Sequence, residues 1–292
     1  MSQFEYVGKN VLRRDGVDKT TGRGLFTTDM FLPGMLFAKV LRSPHPHARI
    51  VSIDTSEAEK LPGVKAVMSH KNGPKNLFNA SVPMFLTIPQ LERVLDQYLF
   101  DDVVRYVGDE VAAVAATSEA IAAKALELIK VEYELLPAVF DPLEALKPEA
   151  PELHAGKGCT PEGKNIPGEI VKIPYHDVEK GLAESDVIIE ETYKLPVQKQ
   201  VQMETQASVA QVDGNGDVTV WSTSQTPHPS RAILGKIFDI PASKIRVLAP
   251  PYVGGGFGVR IGLSAKAEPI AMGLALLAKK PVKLIYTRKE DF

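Results

Sequence analysis

The run Val253-Gly254-Gly255-Gly256-Phe257-Gly258-Val259-Arg260 lies between a predicted strand over 244–248 and a predicted helix over 267–278. Backbone N–H groups that carry no side chains can converge there on an anionic or strongly polar ligand. The spacing excludes two phosphate loops. A dinucleotide fingerprint GxGxxG read from Gly256 and Gly258 needs a third glycine where Ile261 stands, and no acidic residue is suitably placed after a second strand. A P-loop needs Lys and then Ser or Thr directly after a glycine, whereas Gly258 precedes Val259 and Arg260. Spacing alone equally allows a tight strand-to-helix turn whose glycines only supply positive φ or close packing.

Other reactive residues carry less. His45 and His47 form an HxH pair on one face of a strand, but two ligands rarely hold a metal without a third, so the pair reads as structural and no metal ligand set is expected. Asp109 and Glu110 are adjacent, point to opposite faces of a strand and read as turn chemistry. Cys159 has no neighbouring base and reads as inert, while His154, His176 and His228 lack partner spacing.

Those residues must be positioned by elements that the hydrophobic pattern outlines. Two short strands are expected within 35–53 around the turn-rich Ser43-Pro44-His45-Pro46-His47, then a helix over 55–60 and a strand over 64–68. A strand over 111–115, an alanine-rich helix over 118–128 and a strand over 131–135 follow. Prolines and glycines between 141 and 167 make a linker, dividing the chain into 1–140, 141–167 and 168–292. Beyond it come strands at 186–192, 207–212 and 217–222, the last two joined by Asp213-Gly214-Asn215-Gly216, then a helix at 229–238 and a strand at 282–286. The fold class is α+β.

Composition narrows the function classes. The 292 residues are 44% hydrophobic and 24% charged, with a net charge of −2 and no basic stripe, so nucleic acid is not an expected partner. One cysteine cannot supply an iron–sulfur cluster, so any such cluster sits on another chain. No signal peptide or membrane-length apolar run is visible, and the expected location is cytoplasmic.

Taken in order, several segments resemble the xanthine dehydrogenase and aldehyde oxidase family of molybdenum hydroxylases. Val7-Gly8-Lys9, Arg13-Arg14-Asp15, Thr21-Gly22-Arg23-Gly24, Pro33-Gly34-Met35-Leu36, the stretch from Arg42 to Ile50, Leu61-Pro62-Gly63-Val64 and Val107-Gly108-Asp109-Glu110-Val111-Ala112 look like its α/β hammerhead domain. Met203-Glu204-Thr205, Trp221-Ser222-Thr223-Ser224-Gln225 and Gly254 to Gly258 look like the first part of its mixed α/β molybdopterin-binding domain. The resemblance implies hydroxylation of an electron-poor carbon with oxygen from water at a molybdenum centre held by a pterin dithiolene. The cytosine dinucleotide form of the cofactor is expected, with [2Fe-2S] and FAD on partner subunits.

Carried over residue by residue, Gln225 matches the glutamine whose amide donates to a molybdenum oxo ligand, and Phe257 and Gly258 match the pair lying over the metal. Gly256 joins them as cofactor-binding, and Arg260 offers a cation to a carboxylate or cofactor phosphate. The sequence departs from the purine-oxidising pattern, because Val259-Arg260-Ile261-Gly262 lacks the acid those members carry shortly after the loop. The family's later cofactor loops and its glutamate base match nothing up to Phe292, and the chain finishes after a strand. The expected partners are therefore a second molybdopterin-domain polypeptide, an iron–sulfur subunit, an FAD subunit and a small-molecule substrate. A non-catalytic interaction or cofactor-delivery module with the same fold is the alternative.

Overall fold

The computed structural model describes residues 4–80, 95–155, 165–166, 176–250, 252–263 and 266–292. Its strands are β1 (Leu36–Arg42), β2 (Ala48–Asp54), β3 (Val64–Ser69), β4 (Val103–Val104), β5 (Glu110–Ala116), β6 (Lys130–Leu135), β7 (Ala207–Val212), β8 (Val218–Ser222), β9 (Ile245–Leu248) and β10 (Val282–Ile285). The helices are α1 (Gly16–Thr20), α2 (Ser56–Lys60), α3 (Glu119–Glu127), α4 (Pro142–Ala145), α5 (Val178–Ala183), α6 (Pro227–Phe238), α7 (Ala267–Ala278) and α8 (Arg288–Asp291). Seven strands form a mixed sheet in the order β3-β5-β1-β10-β7-β8-β9, and β4-β2-β6 form a smaller one.

Strand β5 shows how the sequence dictates the layering. Its seven residues are all buried, and alternate side chains point to opposite faces. Ala113 and Ala115 join a large core with α6 and α7, whereas Ala112 and Val114 join a smaller core with β2, α2 and α3. A strand covered on both faces reads as a continuous apolar run, and here its residues are small enough to bring both layers close. Ser118 caps α3 by accepting from the Ile121 N–H. Helix α7 is buried from Ala267 to Ala275, as its all-round apolar sequence requires. At Gly273 an added Cβ would lie 2.8 Å from Met68 Sδ, so glycine lets α7 lie against β3.

The sheet draws on both ends of the chain. β10 pairs parallel with β1, Leu36 opposite Val282, and antiparallel with β7, Val282 opposite Ala210. The strand near the end of the sequence, β10, lies inside the sheet, and the expectation that nothing follows it up to Phe292 is corrected by α8, which has a capping box between Thr287 and Glu290. The strand expected over 186–192 is absent, because no neighbouring strand pairs with it among the described residues. Helix α6 begins at Pro227, two residues before the expected start, since proline is compatible with a first helical turn. Of the linker, 156–164 and 167 lie outside the described residues, and so does Cys159.

Candidate cofactor-binding site

Strands β8 and β9 are parallel neighbours, Val218 opposite Ile245, so their C-terminal ends open on the same edge of the sheet. Gln225 follows the end of β8, and the glycine loop follows the end of β9. Ligands of open α/β sheets collect at such strand ends, where successive loops splay apart.

Gln225 is clamped by the loop. Its Oε1 accepts from the Gly258 N–H at 3.0 Å and the Arg260 N–H at 3.3 Å, while its own N–H donates to the Arg260 carbonyl at 3.0 Å. Because two N–H donors fix the oxygen end, the network sets the amide orientation and leaves Nε2 as the outward donor. The residue is exposed to solvent. Hydroxyls on either side hold its backbone. Ser222 Oγ accepts from the Ser224 N–H at 3.1 Å, Ser224 Oγ from the Thr226 N–H at 3.0 Å, and Thr226 Oγ1 from the Gly262 N–H at 2.8 Å.

The glycines answer to this packing. A Cβ on Gly256 would stand 2.5 Å from Gln225 Cδ, and one on Gly254 would stand 2.4 Å from Glu204 Cβ. Gly258 has φ +92° with open space where a Cβ would be, which leaves its backbone approachable. Between them Phe257 takes φ +50°, and its ring is 73% exposed. A non-glycine residue held in that region costs about 1–3 kcal/mol and persists only where its surroundings impose it.

Arg260 corrects one expectation. Its side chain is 1% exposed and points inward, with Nη1 3.0 Å from Glu204 Oε2 and Nη2 donating to the Glu204 carbonyl. Glu204 Oε2 also accepts from the Gly254 N–H at 2.8 Å. The cation is neutralised beneath the loop and is not offered to a cofactor phosphate. Glu204 is the residue that sequence reasoning passed over as a site member; the ordered Met203-Glu204-Thr205 segment was its only signal.

A second buried cluster lies nearby. Lys266 Nζ reaches Glu110 Oε2 at 2.9 Å and Asp109 Oδ1 at 3.5 Å, and Arg42 Nη1 reaches Glu110 Oε1 at 3.0 Å. Burial works against the Glu110 charge, yet Lys266 and Arg42 hold its carboxyl below the ordinary range. Burial outweighs Lys266 at Asp109 and pushes that carboxyl up. Lys266 is held above the ordinary lysine range by Glu110 and Asp109 in spite of its burial. Asp109 does show the expected turn chemistry, with Oδ2 accepting from the Arg105 N–H at 3.0 Å, but both carboxylates also meet Lys266. His47 Nδ1 lies 2.6 Å from the Pro137 carbonyl and His45 packs edge-on to Tyr133, both structural contacts. Among the described residues no cluster of three His, Cys, Asp or Glu side chains could hold a metal ion. No helix of the described residues is long and apolar enough to cross a membrane.

A neutral amide donor beside approachable glycine backbone, at the ends of parallel strands, suits a metal–pterin group held by hydrogen bonds and not by protein ligands to the metal. The arrangement is of the kind a cofactor-binding polypeptide needs. Comparison with known proteins agrees. Residues 21–137 match the aldehyde oxidase and xanthine dehydrogenase a/b hammerhead domain, and residues 162–292 match the molybdopterin cofactor-binding domain. The chain is 43% identical over 285 residues to a probable xanthine dehydrogenase subunit of Bacillus subtilis, covering 96% of this chain and 35% of that one. It is 33% identical to the nicotinate dehydrogenase large molybdopterin subunit of Eubacterium barkeri, covering 99% and 63%. Quinoline 2-oxidoreductase from Pseudomonas putida 86 superposes with a TM-score of 0.76 at 31% identity, covering 97% and 35%. The chain belongs to the xanthine dehydrogenase and aldehyde oxidase family of molybdenum hydroxylases, and it spans about a third of the length of most of these relatives.

Proposed function

We propose that this chain is the front part of the molybdopterin-binding subunit of a molybdenum hydroxylase, which oxidises an aldehyde, an N-heterocycle or an aromatic substrate with oxygen derived from water. The observation that carries this reading is the Gln225 amide: two loop N–H groups hold its oxygen, so its N–H faces outward beside Gly256 and Gly258. When bound, the molybdenum cofactor supplies the two-electron oxidising centre. Gln225 donates a hydrogen bond to it, Gly256 and Gly258 admit it close to the backbone, and the exposed Phe257 ring packs a planar substrate. Arg260 and Glu204 hold the loop from beneath.

The substrate class draws support from the relatives, and the other parts of the reading follow from the family resemblance. A nicotinate dehydrogenase and a quinoline oxidoreductase, both similar over nearly the whole chain, favour an N-heterocycle. The base and later cofactor loops sit on a second molybdopterin-domain polypeptide, [2Fe-2S] and FAD sit on partner subunits in the cytoplasm, and the cofactor takes the cytosine dinucleotide form.

Gln225→Ala in the assembled complex tests the role. Loss of one preorganised donor lowers turnover by about 10²-fold, with subunit stoichiometry unchanged, and Gln225→Glu, which replaces the donor by an acceptor, loses as much. Unchanged turnover in Gln225→Ala overturns it.

A further inference from the structure

The glycine loop is held at one end by Arg260 and Glu204, and at the other by a segment from far earlier in the sequence. Tyr252, two residues ahead of Gly254, donates from its hydroxyl to Asp18 Oδ2 at 2.7 Å across 234 residues of chain. A hydrogen bond to a carboxylate is among the stronger kinds. The ring has its own seat. It lies on Gly24, where an added Cβ would stand 2.9 Å from Tyr252 Cδ2, so only glycine admits it. Lys19 Nζ sits 5.4 Å from the ring centroid, and the Phe26 ring packs against it at 6.1 Å.

That seat is tied to the body of the molecule. The Asp18 carbonyl accepts from the N–H groups of Arg23 and Gly24 at 2.9 and 3.0 Å, closing the turn that brings Gly24 beneath the ring. Asp15 holds Lys19 at 2.6 Å. A few residues on, Thr27 is buried, and Lys283 of β10 donates to the Met30 carbonyl at 3.0 Å. Between the two anchored ends of the loop stands Phe257 at φ +50°, a conformation that persists only where its surroundings impose it. Releasing either end lets the arc from Gly254 to Gly258 relax away from Gln225.

We infer that Tyr252 is a positioning residue of the cofactor loop and Asp18 its anchor, so that the segment 15–26 sets how Gly256, Gly258 and Gln225 are presented. What the loop receives rests on the proposed function; the anchoring of the loop does not.

Hydrogen–deuterium exchange of the assembled complex, followed by steady-state kinetics, tests this. Tyr252→Phe removes the hydroxyl and keeps the ring on Gly24. Exchange of the Gly254, Gly258 and Arg260 N–H groups, all hydrogen-bonded in the parent, should rise about tenfold, while the β5 peptide over 110–116 is unchanged. Turnover should fall about tenfold with KM within about twofold, as misplacement of a reacting group predicts. Asp18→Ala should match Tyr252→Phe, the double variant should be no worse than either, and Asp18→Asn, whose amide oxygen still accepts, should restore most of the loss. Unaltered loop exchange in Tyr252→Phe, a rise spread equally over 110–116, additive losses in the double variant, or full turnover from a loosened loop overturns the inference. Absence of molybdenum from the parent complex would fail the functional reading alone, and the exchange results would still decide whether Asp18 and Tyr252 hold the loop.

Discussion

The two buried ion clusters look alike and hold different things. Glu204 and Arg260, 56 residues apart, fasten the glycine loop to the chain just ahead of β7. Lys266 and Asp109, 157 residues apart, fasten the start of α7 to the turn ahead of β5. The first is one carboxylate facing one guanidinium and a backbone N–H, with Glu204 Oε1 and Arg260 Nε left without a hydrogen-bond partner among the described residues. The second sets two cations, Lys266 and Arg42, against two carboxylates. Breaking a buried pair strands an uncompensated charge in a low dielectric, so the number stranded decides the damage. A balanced long-range cluster therefore serves stability, and the sparse local one serves placement of Gln225.

The largest effect should follow removal of the central cation. Lys266→Ala leaves Asp109 and Glu110 with Arg42 as the nearest balancing charge and should cost about 3–5 kcal/mol in denaturant unfolding; a loss below about 1 kcal/mol would break the comparison. Glu204→Gln keeps an oxygen for the Gly254 N–H and loses the charge opposite Arg260. It should cost about 1–3 kcal/mol and lower turnover of the assembled complex more than tenfold. Equal stability losses in the two variants with unaltered turnover would erase the distinction.

Acid titration sharpens the point further. Glu110 is held below its ordinary range, so the stability it contributes is present above that range and is lost as pH falls through its depressed value. The Glu268 carboxyl, buried and bonded to Ser222 Oγ at 2.6 Å, is pushed up by burial. Its sign is opposite: its contribution is present below the ordinary carboxylate range and is lost as pH rises through the raised value. Glu268→Gln should thus be the mildest change, at least as stable as the parent at about pH 7 and better by up to about 1 kcal/mol, with the gain disappearing in acid. A gain that grows toward low pH would reverse the assignment.

Local chemistry made part of this structure readable in advance. Asp213-Gly214-Asn215-Gly216 announces the hairpin of β7 and β8, where Asp213 Oδ1 accepts from the N–H groups of Asn215 and Asp217. The alternation in β5 and the apolar run of α7 are equally plain. The pairing of β1 with β10 is not, because registers between segments so far apart are set by the whole sheet and by no local signal. The same reason hides the contact of Lys266 with Glu110 and the inward turn of Arg260, whose sequence neighbours reveal nothing of Glu204. The strand expected over 186–192 has the right alternation, but a strand needs a partner and none is present among the described residues.

The most direct test of the functional account is the molybdenum and iron content of the tagged protein purified gently from its native host, together with the polypeptides that accompany it. Near-stoichiometric molybdenum with iron-containing partners is the predicted result. A metal-free protein without partners would contradict the assignment as a hydroxylase subunit.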